Sequence, residues 1–185
     1  STQSRSSAAS DVYKRQVETK KAVFAIADHQ GPVYLRLSRA AAPVYYSEDM
    51  KFEIGKGITV RDGRDVTIIT TGTVLHKALA AAELLEAKGI RARVVDMHTI
   101  KPIDEKLIIE CARETGAIVT VEEHSVCGGL GSAVAEVLAE HMPVPMTRIG
   151  ATDFAESGDY EQLLVKYGYG PESIAERCAE VIKRK

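Results

Sequence analysis

The sequence contains no tryptophan, three phenylalanines and three cysteines in 185 residues. A small secreted scaffold stapled by disulfides is excluded, because Cys111, Cys127 and Cys178 are odd in number, far apart and form no C-x-x-C pair. Such cysteines suit a reducing compartment, where thiols pack as small apolar side chains. Long apolar runs are missing as well: no segment approaches the roughly 20 apolar residues of a bilayer-spanning helix, and no apolar signal core opens the chain. Nor does one sign of charge dominate. With 24 Lys and Arg against 26 Asp and Glu, the formal net charge is -2, so no nucleic-acid or membrane footprint is expected. These absences point to a soluble cytoplasmic protein, and the length suffices for one full hydrophobic core.

What is present changes character along the chain. Ser1–Gln16 is polar and Ser-rich, has no period that could bury a face, and reads as a disordered, non-native tail. From Val17 to Ala27 apolar residues fall near helical spacing until Gly31-Pro32 ends the run, and Val33-Tyr34-Leu35-Arg36-Leu37 reads as a strand. One helix and one strand cannot bury their faces alone. Residues 17–46 therefore read as the remnant of an upstream domain, closed by a linker at Ala40-Ala41-Ala42-Pro43, and residues 47–185 as the principal domain.

That domain opens with Ile58-Thr59-Val60 and Val66-Thr67-Ile68-Ile69 on either side of Asp62-Gly63, a dipeptide suited to a tight turn. An antiparallel hairpin is expected there. A helix from Val74 to Lys88 places Leu75, Ala78, Leu79, Ala82 and Leu85 on one stripe and stops at Gly89. Strands at Arg93–Met97, Ala117–Val121 and Met146–Ile149 then alternate with helices that start after Asp104 and at Gly131. Two helices close the chain: Tyr160–Tyr167, stopped by Gly168, and one opened by Pro171 with Ile174, Cys178, Val181 and Ile182 as its buried stripe. Alternating strands and helices predict an α/β fold, a three-layer α/β/α sandwich around a mostly parallel five-stranded sheet with an antiparallel edge strand.

The segment from Ala117 to Leu138 carries the densest pattern: a β-branched strand, the polar residues Glu122, Glu123 and His124 in a turn, the glycines Gly128, Gly129 and Gly131, then a helix. One reading is a nucleotide cradle, with Asp153 as the ribose acid. Against it, Val134 stands where a third glycine belongs, and two carboxylates beside the helix start would repel a pyrophosphate. Close helix-to-sheet packing is the favoured role of the glycines. Glu122, Glu123 and His124 end a parallel strand, where open α/β sheets place ligands, and paired carboxylates beside an imidazole suit acid–base work. The competing and favoured reading is three solvated turn residues near a helix N-terminus. Asp96 and His98 end another strand as local hydrogen-bonding residues, too few for a metal site. His29 and His76 read as exposed, and Cys127 as a small packed side chain rather than a reactive thiol. Arg39 follows the strand of the upstream unit, where an arginine can hold a phosphate through paired hydrogen bonds or be merely exposed.

Three stretches carry a resemblance: Gly31 through Arg39, Val95-Asp96-Met97-His98-Thr99-Ile100-Lys101-Pro102-Ile103-Asp104, and the glycine segment. Phe154-Ala155-Glu156-Ser157-Gly158 and Leu163 through Gly168 add to it. From Val17 to Lys185 the chain resembles the carboxy-terminal section of transketolase, and the wording is closest to transketolases encoded in two parts. The resemblance implies an enzyme of carbohydrate metabolism, in the pentose phosphate pathway, that moves a two-carbon ketol unit from a ketose phosphate to an aldose phosphate. It implies thiamine diphosphate and a divalent metal, Mg or Ca, in the complete homodimeric enzyme, with an amino-terminal section or upstream domains as partner. Residues 17–46 then correspond to the end of the pyrimidine-binding domain. The family's catalytic and cofactor-binding residues lie before Val17, so this fragment is expected to be inactive alone and to bind no cofactor. Arg39 alone matches a family ligand, the arginine that grips the donor phosphate. Deoxyxylulose phosphate synthase and the 2-oxoacid dehydrogenase beta subunits share the domain and remain alternatives, as do a free-standing interaction domain and a nucleotide-binding module.

Overall fold

The computed structural model describes residues 16–38 and 43–185, in two compact units divided between Ile54 and Gly55. The tail up to Arg15, and Arg39 with most of the linker read at residues 40–43, lie outside the described residues. In the first unit, α1 (Gln16–Ala27) forms as its periodicity predicts, and Lys20 reaches Glu48 at 3.3 Å. The strand expected at Val33–Leu37 is not formed. A strand exists only as one side of a ladder, and no described segment of this unit supplies the other side. Its apolar residues stay exposed, Tyr34 and Leu37 among them, as do Val23 and Phe24 on the helix.

The second unit contains β1 (Ile58–Arg61), β2 (Val66–Thr70), a single 3-10 turn at Gly72–Val74, α2 (Leu75–Glu86), β3 (Ala92–Asp96), α3 (Glu105–Thr115), β4 (Ile118–Ser125), α4 (Leu130–His141), β5 (Met146–Ala151), α5 (Tyr160–Lys166) and α6 (Pro171–Ile182). The sheet order is β1-β3-β2-β4-β5. Every pairing is parallel except β1 with β3, so the antiparallel edge strand is present.

The hairpin reading of Asp62-Gly63 is overturned, because β1 pairs with β3 and not with β2. The chain after β1 instead passes around the start of β3. Arg64 and Asp65 donate their N–H groups to the Arg91 carbonyl at 3.1 and 3.0 Å, and the Asp65 carboxylate accepts from Arg91 N at 2.7 Å. Gly63 has no positive φ. It is a glycine because the Ala92–Arg93 backbone crosses directly over its Cα and leaves no room for a Cβ.

Three layers follow from the period of two along each strand. Val66, Ile68, Val94, Val119 and Val121 face α2 and α6 in one core. Their neighbours Ile69, Val95 and Ile118 face α3 and α4 in the other. All five residues of β2 are buried, as befits a central parallel strand covered on both faces. The helix ends follow their local signals. Asp104 caps α3 through Leu107 N at 3.2 Å and its other oxygen accepts from Gly57 N at 3.2 Å, while Pro171 opens α6. From β2 the chain places β3 on one side and then crosses to β4 on the other. The topological switch point therefore lies between the carboxyl ends of β2 and β4, which is where open sheets of this kind bind ligands.

Candidate functional site

The strand β4 runs on through Ser125, so Glu122, Glu123 and His124 are strand residues and not a turn. This corrects the sequence reading, and it changes the chemistry. Successive strand residues point to opposite faces, so the two carboxylates do not form a pair. Glu122 turns toward α4 and is 3% exposed. Its two oxygens accept from Leu130 N and Gly131 N, each at 2.8 Å. These are otherwise unsatisfied donors of the helix start, and the carboxylate also meets the positive end of the helix dipole. Glu123 turns to the other face and accepts from Thr73 Oγ1 at 2.6 Å and from Tyr160 Oη at 2.7 Å. His124 is exposed, with Nδ1 at 3.0 Å from the Ser125 carbonyl. No nucleophile, acid and base converge here among the described residues.

The same geometry disposes of the nucleotide cradle. A pyrophosphate would have to take the α4 N-terminus, and that place is filled by the Glu122 carboxylate. The glycines serve this packing. A Cβ on Gly129 would collide with the Glu122 carboxylate, and one on Gly131 would lie 2.9 Å from Thr120 Oγ1 and 3.0 Å from Arg148 Cδ. Gly128, at φ +75°, completes the turn, with its N–H donated to Ser132 Oγ at 3.0 Å and Arg148 reaching the Val126 carbonyl at 2.9 Å. Asp153 is exposed, and its carboxylate accepts from Phe154 N at 2.7 Å. Cys127 is exposed rather than packed, whereas Cys111 and Cys178 are buried. Burial pushes the Cys178 thiol up to about 12.

The switch point is filled by Thr73, Glu123 and Tyr160, a cluster only partly legible in the sequence. Alternation counted through Glu122 and Glu123 separates the two acids, whereas the arrival of Tyr160 has no local signal. The Tyr160 phenol is pushed up to about 12, chiefly by burial; the Thr73 hydroxyl opposes the rise and the Glu123 carboxylate adds to it. It is therefore a hydrogen-bond donor throughout the neutral range. Tyr169 is pushed up to about 12 by burial and then by Glu123 and Glu122.

His76 is half-buried rather than exposed, with Nδ1 2.6 Å from the Thr73 carbonyl; His29 is exposed. Asp96 is buried, and His98 lies 2.9 Å from Thr99 Oγ1 through Nδ1. Burial lowers the His98 imidazole to about 4. Between pH 6.5 and 4 the unfolded chain thus binds a proton that the folded one refuses, and stability falls as pH drops through that window. His98→Gln should remove on the order of 2–3 kcal/mol of this acid-side loss, measured as the difference between wild-type and variant urea midpoints at about pH 7 and about pH 4.5. Equal pH slopes for the two proteins would refute it.

Among the described residues no group of three or more His, Cys, Asp or Glu is placed to hold a metal. No helix among them is long and apolar enough to cross a membrane. The fold and site thus define a doubly wound α/β domain whose ligand crevice and helix N-terminus are occupied by its own side chains. Residues 55–174 match the transketolase C-terminal domain family, and the chain belongs to that family. It is 47% identical over 158 residues to the 6-deoxy-6-sulfo-D-fructose transketolase subunit SqwH of a Clostridium species, covering 85% of this chain and 49% of that one. To an apulose-4-phosphate transketolase polypeptide of Phocaeicola vulgatus it is 44% identical over 169 residues, with 90% and 54% covered. A solved structure described as a split gene transketolase, inactive beta4 tetramer, superposes with a TM-score of 0.89 at 46% identity, over 92% of this chain and 56% of the other. The chain spans about half the length of these relatives.

Proposed function

We propose that this chain is the carboxy-terminal part of a cytoplasmic transketolase, acting in the pentose phosphate pathway, that moves a two-carbon ketol unit from a ketose phosphate to an aldose phosphate. Residues 17–46 form the end of the pyrimidine-binding domain and residues 47–185 the carboxy-terminal domain. Thiamine diphosphate, which supplies the carbanion sink, and its divalent metal are held by an upstream section, and the complete enzyme is a homodimer. The described residues of this chain do not fit the cofactor, since Glu122 fills the helix start that follows β4 at the sheet's carboxyl end, and no catalytic step is assigned to them. Their part is to support fold and assembly.

The observation that carries this reading is the likeness to a split transketolase over 92% of the chain. Exposed apolar residues of the first unit, such as Phe24 at 63% and Tyr34 at 87%, fit a segment that is completed by further chain. The test is complementation. The fragment alone should give no calorimetric signal with thiamine diphosphate and Mg at micromolar concentrations and no ketol transfer; mixing it with the amino-terminal section of a two-part transketolase should restore both. Cofactor binding by the fragment alone would overturn the division of labour.

A further inference from the structure

We propose that residues 152–168 form a strap that opens as one body from the carboxyl ends of β2 and β4, with the Tyr160–Glu123–Thr73 hydrogen-bond cluster as its latch. The strap lies wholly within the second unit, and its opening does not depend on the ketol-transfer reading.

Four observations carry it. First, every residue from Thr152 to Asp159 is exposed, and Phe154 is 99% exposed, so half of the segment buries almost nothing. Second, the segment is tied to itself. Asp159 caps α5 through Gln162 N at 3.1 Å, Lys166 is paired with Glu156, and Tyr167 Oη accepts from Glu156 N at 3.3 Å. These contacts join the loop to its helix, so the two move together. Third, its hold on the rest is small and local. Leu164 is its one buried apolar side chain, with Tyr160 and Tyr167 packed partly against the core. In contrast α6, which follows, lies along α2 and against β4. Fourth, the polar links converge on one place. Tyr160 donates to Glu123 at 2.7 Å and lies 3.3 Å from Thr73 Oγ1, and Lys77, at the start of α2, pairs with Glu161 at 2.5 Å. Beyond them Gly168, at φ +82°, gives the chain a pivot before α6.

The consequence is a closed and an open form of the switch point. Closed, the Tyr160 phenol covers Glu123 and Thr73 where a doubly wound sheet would admit a ligand. Open, it bares that carboxylate and hydroxyl and carries Phe154 away with the loop. Few buried apolar contacts, and polar ties confined to one part-buried cluster and one pair with an exposed carboxylate, mark a unit that opens below the cost of global unfolding.

Hydrogen exchange on the full chain, read by mass spectrometry, tests this. In the wild type, amides of 160–168 should exchange at least about tenfold faster than those of β2, β4 and α6, and with little dependence on sub-denaturing urea. Tyr160→Phe removes the donor and keeps the ring. It should speed exchange in 160–168 on the order of tenfold and leave β2, β4 and α6 unchanged. Thr73→Val, which removes the other hydroxyl on Glu123, serves as a second variant and should move the same peptides. Exchange in 160–168 that tracks β4 and α6 in urea would show that the segment opens only with the whole unit. Equal acceleration of all peptides by Tyr160→Phe, or none in 160–168 with either variant, would equally overturn the proposal.

Discussion

Glu122→Ala should lower the stability of the protein by about 3–5 kcal/mol, the sum expected when two charge-assisted hydrogen bonds are lost and their donors stay buried. The carboxylate is 3% exposed and bonds Leu130 N and Gly131 N at 2.8 Å each, so water cannot readily replace it. Glu122→Gln keeps one acceptor but turns an NH2 group toward a helix N–H, and should lose roughly half as much. Urea unfolding at about pH 7 measures both. Gly129 supplies the internal control. A Cβ there would collide with the Glu122 carboxylate, so Gly129→Ala should be costly in the wild type and much cheaper beside Glu122→Ala. That coupling, read from a double-mutant cycle, separates a carboxylate wedged under the helix from one that is merely near it. Additive losses, or a loss under about 1 kcal/mol for Glu122→Ala, would show that solvent satisfies the helix start. Should Glu122→Ala fail to fold, Glu122→Ser, which likewise empties the space beside Gly129, closes the same cycle with Gly129→Ala.

This carboxylate also shows why the site was less legible than the fold. Element types in the second unit followed from periods and caps: Asp104 before α3, Gly89 after α2 and Pro171 at the head of α6 are local signals, and each acts within one turn. Pairing is not local. Asp62-Gly63 has the composition of a hairpin turn, yet β3, further along the chain, takes the place beside β1 because its backbone can cross over a residue without a side chain. In the same way the pattern after Ala117 predicts a strand that ends at Val121, since three polar residues follow. What keeps β4 extended through Glu122 and Glu123 is a donor pair in α4 and a phenol in α5. Polar residues can be strand residues when partners wait on both faces. The strand expected at Val33–Leu37 failed for the converse reason: its pattern is right, and its ladder partner is not among the described residues of that unit.

The two acids illustrate how a doubly wound sheet can fill its own crevice. In such folds the crevice beyond the strand ends is polar because helix N–H groups and strand ends are left over there. Here Glu122 answers the helix and Glu123 answers Thr73 and Tyr160. Adjacent residues on one strand thereby settle both faces of the sheet. At this crevice the start of α4 and the end of β4 are thus satisfied by side chains of the domain itself.

The largest functional effect is expected at Arg39, which lies outside the described residues and whose role rests on the proposed membership of a complete transketolase. In an enzyme with its upstream section present, Arg39→Ala should lower kcat/KM on the order of 10–100-fold for ketose phosphates, which corresponds to about 1.5–3 kcal/mol for charge-assisted hydrogen bonds to a phosphate. Lysine places a point charge where a planar fork is needed, so Arg39→Lys should recover only part of the loss. The decisive comparison is between donors. Hydroxypyruvate carries no phosphate, and its turnover should be nearly unchanged in both variants, because an interaction that is never made cannot be lost. Parallel losses for phosphorylated and unphosphorylated donors would mean that Arg39 holds the cofactor or the fold, and the phosphate assignment would fall while the family assignment stood.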